Sequence, residues 1–227
     1  WRTILFITSA LSLVSAYYLK ALYSLAFGLI AITAWWGAQA AEWIQGKDIT
    51  PSAIFVGLAF VALLFYSLGH LHEKEMKWKR FALVYLVLGI ISITGALFFF
   101  SSKPGLSVLG EMTKGVSFFG SWQLTLSLFI FLASLVGVAL YTVAKKLFSP
   151  FEFLAVLLLT FLFGVIALLP QQSMFLQAGN SYSFYSGGQE LSSSGVLWAV
   201  IFNFAVFFEL LGLIFSGYLR RETWLIN

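Results

Sequence analysis

The sequence predicts an all-α fold, a polytopic transmembrane helix bundle of about seven spans, and three observations lead there. Hydrophobic residues make up 60% of the chain, charged residues 10%, and the mean hydropathy is +0.94. Soluble domains carry about 45–50% and about 25% of these classes. The apolar residues fall into long runs, without the roughly ten-residue alternation of a membrane β-barrel. Lipid offers no water to unpaired backbone groups, so such runs must be helical.

A helix crosses the hydrocarbon layer with about 20 apolar residues, and about 17 to 25 are tolerated. The stretches that meet this are 3–19, 21–44, 51–71, 80–101, 122–144, 150–170 and 195–219. The first, in "WRTILFITSALSLVSA", also has the charge and the small-residue ending of a signal peptide; a retained span is the expectation adopted. Residues 3–44 as one helix would be about 60 Å long, twice the hydrocarbon thickness, so a tight turn is expected near Tyr17-Tyr18-Leu19-Lys20. In "DITPS", Thr50 is placed to cap the third span, with Pro51 at its first position. In "SPFE", Ser149 and Glu152 have capping-box spacing around Pro150, so the sixth span should begin there.

Lysine and arginine set the orientation. With alternating sides, Lys20, Lys74, Lys77, Lys79, Arg80, Lys145, Lys146, Arg220 and Arg221 fall on one side, against Arg2, Lys47, Lys103 and Lys114 on the other. The richer side is expected in the cytoplasm, with the N-terminus outside and the C-terminus inside. Both long loops then lie outside. In "SSKPGLSVLGEMTKGVSFFG", Leu109, Met112, Val116 and Phe119 recur at helical spacing opposite Glu111 and Lys114, as in a short interfacial helix. The loop 171–194 is either a plain connection or a lid. The start at Trp1 and the end at Asn227, soon after an apolar run, are consistent with a piece of a longer chain.

Composition excludes much chemistry. There is no cysteine, hence no disulfide, thiolate ligand or cysteine nucleophile. The net charge of +4 comes from scattered loop lysines and arginines, so no nucleic-acid partner is expected. In "GHLHEKEMKWKR" the two histidines, His70 and His72, fall on different helix faces, and no third metal ligand is evident. A solvated helix end accounts for the segment, with Lys74, Lys77, Lys79 and Arg80 anchoring anionic lipid headgroups. Two histidines near one membrane face cannot supply axial haem ligands from facing helices, and no cofactor is expected. No histidine lies within a span to serve a serine nucleophile, so an enzyme ranks third among the readings.

Small residues at packing intervals, Gly37 with Ala41, Ala133 with Gly137, and Gly89 with Ser92 and Ala96, allow close helix approach. Trp35, Trp36, Trp43 and Trp122 are expected at the outer interface and Trp78 at the inner one. "AVFFELLGL" (205–213) is different, because it buries one carboxylate, Glu209, near the middle of the last span. Ala205, Glu209, Gly212 and Ser216 form one stripe, so the acid should face other helices. No Lys or Arg sits at its depth. It is therefore expected to rest as the neutral acid, bonded to a partner from another helix, with Ser and Thr of the first, fourth or fifth span as candidates.

Two stretches resemble a known pattern. "YSLGHLHEKEMKWKRFALVYLVLGIISITGALFFFSS" (66–102) resembles uncharacterised bacterial membrane proteins of the domain-of-unknown-function family 2157: a span, a short charged linker, and a span opening aromatic-rich. "IFNFAVFFELLGLIFSGYLRRETWLIN" (201–227) resembles that family's late segment. The resemblance implies a bacterial inner-membrane protein with further helices beyond both ends, and implies no activity or site residues. The expected function is small-solute or ion binding or transport through an intramembrane pocket near Glu209. The alternative is a non-catalytic subunit or scaffold of a larger complex, with protein partners or a homo-oligomer.

Overall fold

The computed structural model describes residues 1–46, 49, 51–73, 78–112, 120–168, 176–177 and 190–220. Eight helices account for nearly all of them: α1 (Arg2–Leu19), α2 (Leu22–Ile44), α3 (Ser52–Glu73), α4 (Lys79–Phe100), α5 (Lys103–Met112), α6 (Trp122–Ala144), α7 (Pro150–Leu168) and α8 (Ser193–Arg220). A two-residue antiparallel pair, β1 (Leu176–Gln177) with β2 (Glu190–Leu191), joins Leu176 to Leu191 and Gln177 to Glu190. Six of these helices, α1, α2, α3, α4, α6 and α8, are long and apolar enough to cross a membrane. The sixth expected span, 150–170, corresponds to α7, which is apolar over Pro150–Ile166; residues 169–170 lie outside the described ones.

The turns follow from local chemistry. The expected break after α1 is present: Lys20 adopts the left-handed conformation (φ 55°), and its N–H and that of Ala21 both reach the Ala16 carbonyl. Lys146 does the same after α6 (φ 54°), where Leu147 N–H donates to Thr142 O. Both are Schellman-type ends, in which glycine is the usual left-handed residue. Here a lysine takes that place, with its charge beside the negative end of the helix dipole.

Serines start three helices. The Ser102 hydroxyl accepts from Gly105 N–H at 3.2 Å, and that of Ser192 from Gly195 N–H at 2.9 Å. The capping box of α7 is complete: Ser149 N–H donates to Glu152 Oε2 at 2.8 Å and Glu152 N–H to Ser149 Oγ at 3.2 Å. Pro51 precedes α3 by one residue, and its carbonyl accepts from Ile54 N–H; Thr50 lies outside the described residues.

The helices alternate in direction around α3, the most buried of them, which packs against α2, α4, α6 and α7. Glycine allows the closest approaches. A Cβ on Gly57 would fall 2.1 Å from Trp36 Cη2, and one on Gly89 would fall 2.7 Å from Tyr66 N. Trp36 is thus core, wedged against α3 and ringed by Phe131, and not part of an interfacial belt. Its Nε1–H has no acceptor among the described residues. Gly37 and Gly137, expected to mediate packing, have nothing within 4 Å of their Cβ positions.

The largest apolar cluster runs through α3, α4, α5, α6, α7 and α8 around Leu63, Leu97, Leu135 and Phe202. α5 adds Leu106 and Leu109, both fully buried. The interfacial helix expected around Leu109 to Phe119 thus begins earlier, at Lys103, and docks onto the bundle; residues 113–119 lie outside the described ones. The exterior is oily, with large side chains such as Phe129, Phe161 and Phe208 more than 60% exposed. A fold that turns such residues outward has lipid as its solvent.

Candidate functional site

Hydroxyls in lipid-spanning helices ordinarily donate back to their own helix, which removes their cost in an apolar solvent. Ser67, Thr142 and Thr160 do so, to Leu63 O, Ala139 O and Val156 O, and Ser9 and Thr33 likewise. Among the described residues, Ser12 on α1 instead donates to Ser24 O on α2 at 2.8 Å, and two hydroxyls reach carboxyl groups. Thr94 on α4 donates to Glu209 Oε1 on α8 at 2.8 Å, and Ser216 on α8 donates to Glu152 Oε1 on α7 at 2.7 Å. Each ties two helices together through a carboxyl group.

Glu209 lies at the seam between α4 and α8, partly buried. The Thr94 donor comes from the fourth span, one of the three considered for it. Its other oxygen, Oε2, is shielded from solvent and has no hydrogen-bond partner among the described residues. No Lys or Arg pairs with it there: the ion pairs among the described residues are Arg2 with Glu42 and His70 with Glu73 and Glu152. An unpartnered carboxyl oxygen held away from water is suited to receive a proton, a cation or a donor group of a ligand.

The second cluster lies at the end of the bundle that carries Lys20, Lys79, Arg80, Lys145 and Lys146. His70, 4% exposed, sits between two acids: its Nδ1 is 3.2 Å from Glu73 Oε2 and its Nε2 is 4.0 Å from Glu152 Oε1. Tyr66 and Phe148 close edge-on around the ring at 4.8 and 5.1 Å. Glu152 is 6% exposed, while Glu73 keeps 29% of its side chain accessible. Sequence reasoning missed this group. The capping box explained Glu152 locally, and "GHLHEKEMKWKR" read as a solvated helix end.

His72 points to the opposite face, as the two-residue spacing requires. Its Nδ1 is 2.8 Å from Leu68 O and its Nε2 is 3.1 Å from the Tyr17 hydroxyl, which is 2.9 Å from that of Tyr85. This network clamps α1, α3 and α4. Among the described residues no group of three or more His, Asp or Glu is placed to hold a metal ion. Lys79 and Arg80, expected to anchor lipid headgroups, are exposed at the start of α4; Lys74 and Lys77 lie outside the described residues.

Long apolar helices, an oily exterior and hydroxyls folded back onto their own carbonyls define an integral membrane protein of the polytopic α-helical class. In comparisons with protein-family models, curated proteins and solved structures, nothing matched the chain.

Proposed function

We propose that this protein binds, and moves across the membrane, a proton, a cation or a small solute bearing a hydrogen-bond donor, with the Glu209 carboxyl as the binding group. The observation that carries the reading is Glu209 Oε2, sequestered from solvent without a hydrogen-bond partner among the described residues while Oε1 is held by Thr94. A purely structural acid would be expected to satisfy both oxygens, since lipid makes an unpaired polar atom costly. The site belongs, in this reading, to a seven-span protein of a bacterial inner membrane with the lysine-rich end in the cytoplasm, akin to the domain-of-unknown-function family 2157. Lys74, Lys77, Lys79 and Arg80 then meet anionic headgroups.

The full chain reconstituted in liposomes, with a pH dye or a cation dye inside, tests this. Wild-type protein should dissipate an imposed gradient, and Glu209→Gln should keep the fold and abolish the flux. Equal flux in both, or none above protein-free vesicles for either, would remove Glu209 as a transport site. One observation favours a second reading, a subunit of a larger assembly: Ala133 and Gly137 lie exposed on one face of α6, at the spacing by which helices approach closely in lipid.

A further inference from the structure

We propose that the species bound at Glu209 is the proton itself, and neither a metal cation nor a donor-bearing solute. This rests on the reading of Glu209 as a binding group and narrows its ligand to one. Two features of the seam between α4 and α8 point to it: few oxygens gather at the carboxyl, and little room is left beside it. Glu209 Oε2 is shielded from solvent and has no hydrogen-bond partner among the described residues.

A cation that leaves water needs its hydration shell replaced by about six oxygens, and membrane sites for such ions draw on the carbonyls of unwound helices. Here α4 runs unbroken over Lys79–Phe100 and α8 over Ser193–Arg220, so the carbonyls around Thr94 and Glu209 are spent within their own helices. Hydrogen bonding places three side-chain oxygens at the seam, two of the Glu209 carboxyl and one of Thr94. The next polar side chains on α8 are Asn203, bonded to Ser101 O and Ala199 O, and Ser216, bonded to Glu152. They lie about 9 and about 10 Å from Glu209 along the axis. On α4, Ser92 is exposed on another face, and on α7 Thr160 donates to Val156 O.

A solute would need space against Oε2, and an oxygen shielded from solvent does not offer room for even a water molecule. A proton takes one lone pair and no volume, and it cancels the charge that an apolar surrounding disfavours. Hydronium gives up one O–H bond and Oε2 gains one. Oε1 remains the acceptor of the Thr94 hydroxyl, so the contact between the helices is kept in both states.

Other charged groups are remote from this carboxyl. Of the elements packed against α8, α4 carries Lys79 and Arg80 at its start, both exposed, and α7 carries Glu152, bonded to Ser216. α5 carries Lys103, exposed, and Glu111, and β2 carries Glu190, which precedes α8. On α8 itself Tyr218 and Arg220 lie in the last turn, about 13 Å or more from Glu209 along the axis.

The test is an infrared pH titration of the full chain in phosphatidylcholine vesicles at constant ionic strength, following the carboxylic-acid band of Glu209. The band is identified by its loss in Glu209→Gln and by its displacement in Glu209→Asp, which keeps an acid should the glutamine variant fail to fold. The titration is run in choline chloride and repeated with sodium, potassium, calcium or methylammonium chloride in its place. The band should titrate as one proton, with the same midpoint in every salt. A competing ligand at about ten times its dissociation constant would lower the midpoint by about one pH unit. A lower midpoint in any of these salts overturns the inference and leaves Glu209 a cation or solute site. If no Glu209-dependent band appears at any pH, the inference fails too, and equal flux in Glu209→Gln and wild type then removes the parent reading with it.

Discussion

Thr94 and Glu209 meet across 115 positions of sequence, and that single contact separates Glu209 from an acid stranded in lipid. Interhelical hydrogen bonds in membranes are worth about 0.6 kcal/mol on average and up to about 1.7. Thr94→Val keeps the shape and removes the donor, so it should lower stability by about 0.5–1.5 kcal/mol. Reversible unfolding in detergent measures this, with Thr94→Ser as the variant that retains the hydroxyl. A valine variant as stable as wild type would mean that the bond contributes nothing. Glu209 itself was legible in the sequence, because one charge in an apolar run of that length has no loop to occupy. Its partner was legible only as a residue type, since which hydroxyl faces it depends on how far α4 slides against α8. His70 and Glu152 were not legible as a pair: each had a sufficient local explanation, and only the packing of α3 on α7 brings them within 4.0 Å.

Helix pairs in this bundle approach where glycine removes a side chain, and the positions sort by what a methyl group would meet. At Gly57 it would meet the Trp36 ring at 2.1 and 2.8 Å and Leu128 Cδ2 at 2.9 Å, one rigid neighbour and one flexible one. Gly57→Ala should therefore destabilise the protein by about 1–3 kcal/mol, the usual cost of overpacking. Gly137→Ala should be neutral or stabilising by up to about 1 kcal/mol, through helix propensity alone. Thermal unfolding in detergent separates the two. If Trp36 is the obstacle, adding Trp36→Phe to Gly57→Ala should recover part of the loss; no recovery would locate the strain elsewhere. Spacing alone had placed Gly37 and Gly137 with Gly89 as packing residues. The sequence carries the interval but not the rotation of each helix about its axis, and that rotation decides which small residues face a neighbour.

The number and order of apolar runs, and the turn after α1, were legible because hydrocarbon thickness sets an upper length for a span. The docking of α5 was not: Leu106 and Leu109 bury against the bundle, whereas an amphipathic pattern alone suits a lipid surface equally well. Orientation is a property of the whole molecule. Lys20, Lys79, Arg80, Lys145 and Lys146 gather at one end because α1, α4 and α6 present those termini together, with Tyr17 packed against Trp78 and Tyr66 against Phe148. A charge bias shared by several helices orients the bundle as a unit, so we expect this end in the cytoplasm. The chain has no cysteine, so single cysteines report position without background. Leu19→Cys and Ala144→Cys mark the lysine-bearing end, and Gln45→Cys and Ser102→Cys the opposite one, without altering any charge. A membrane-impermeant maleimide should label the second pair in intact cells and the first pair only after permeabilisation. The reverse pattern would invert the orientation, and Leu19→Cys labelled from outside together with Gln45→Cys would mean that α2 does not cross.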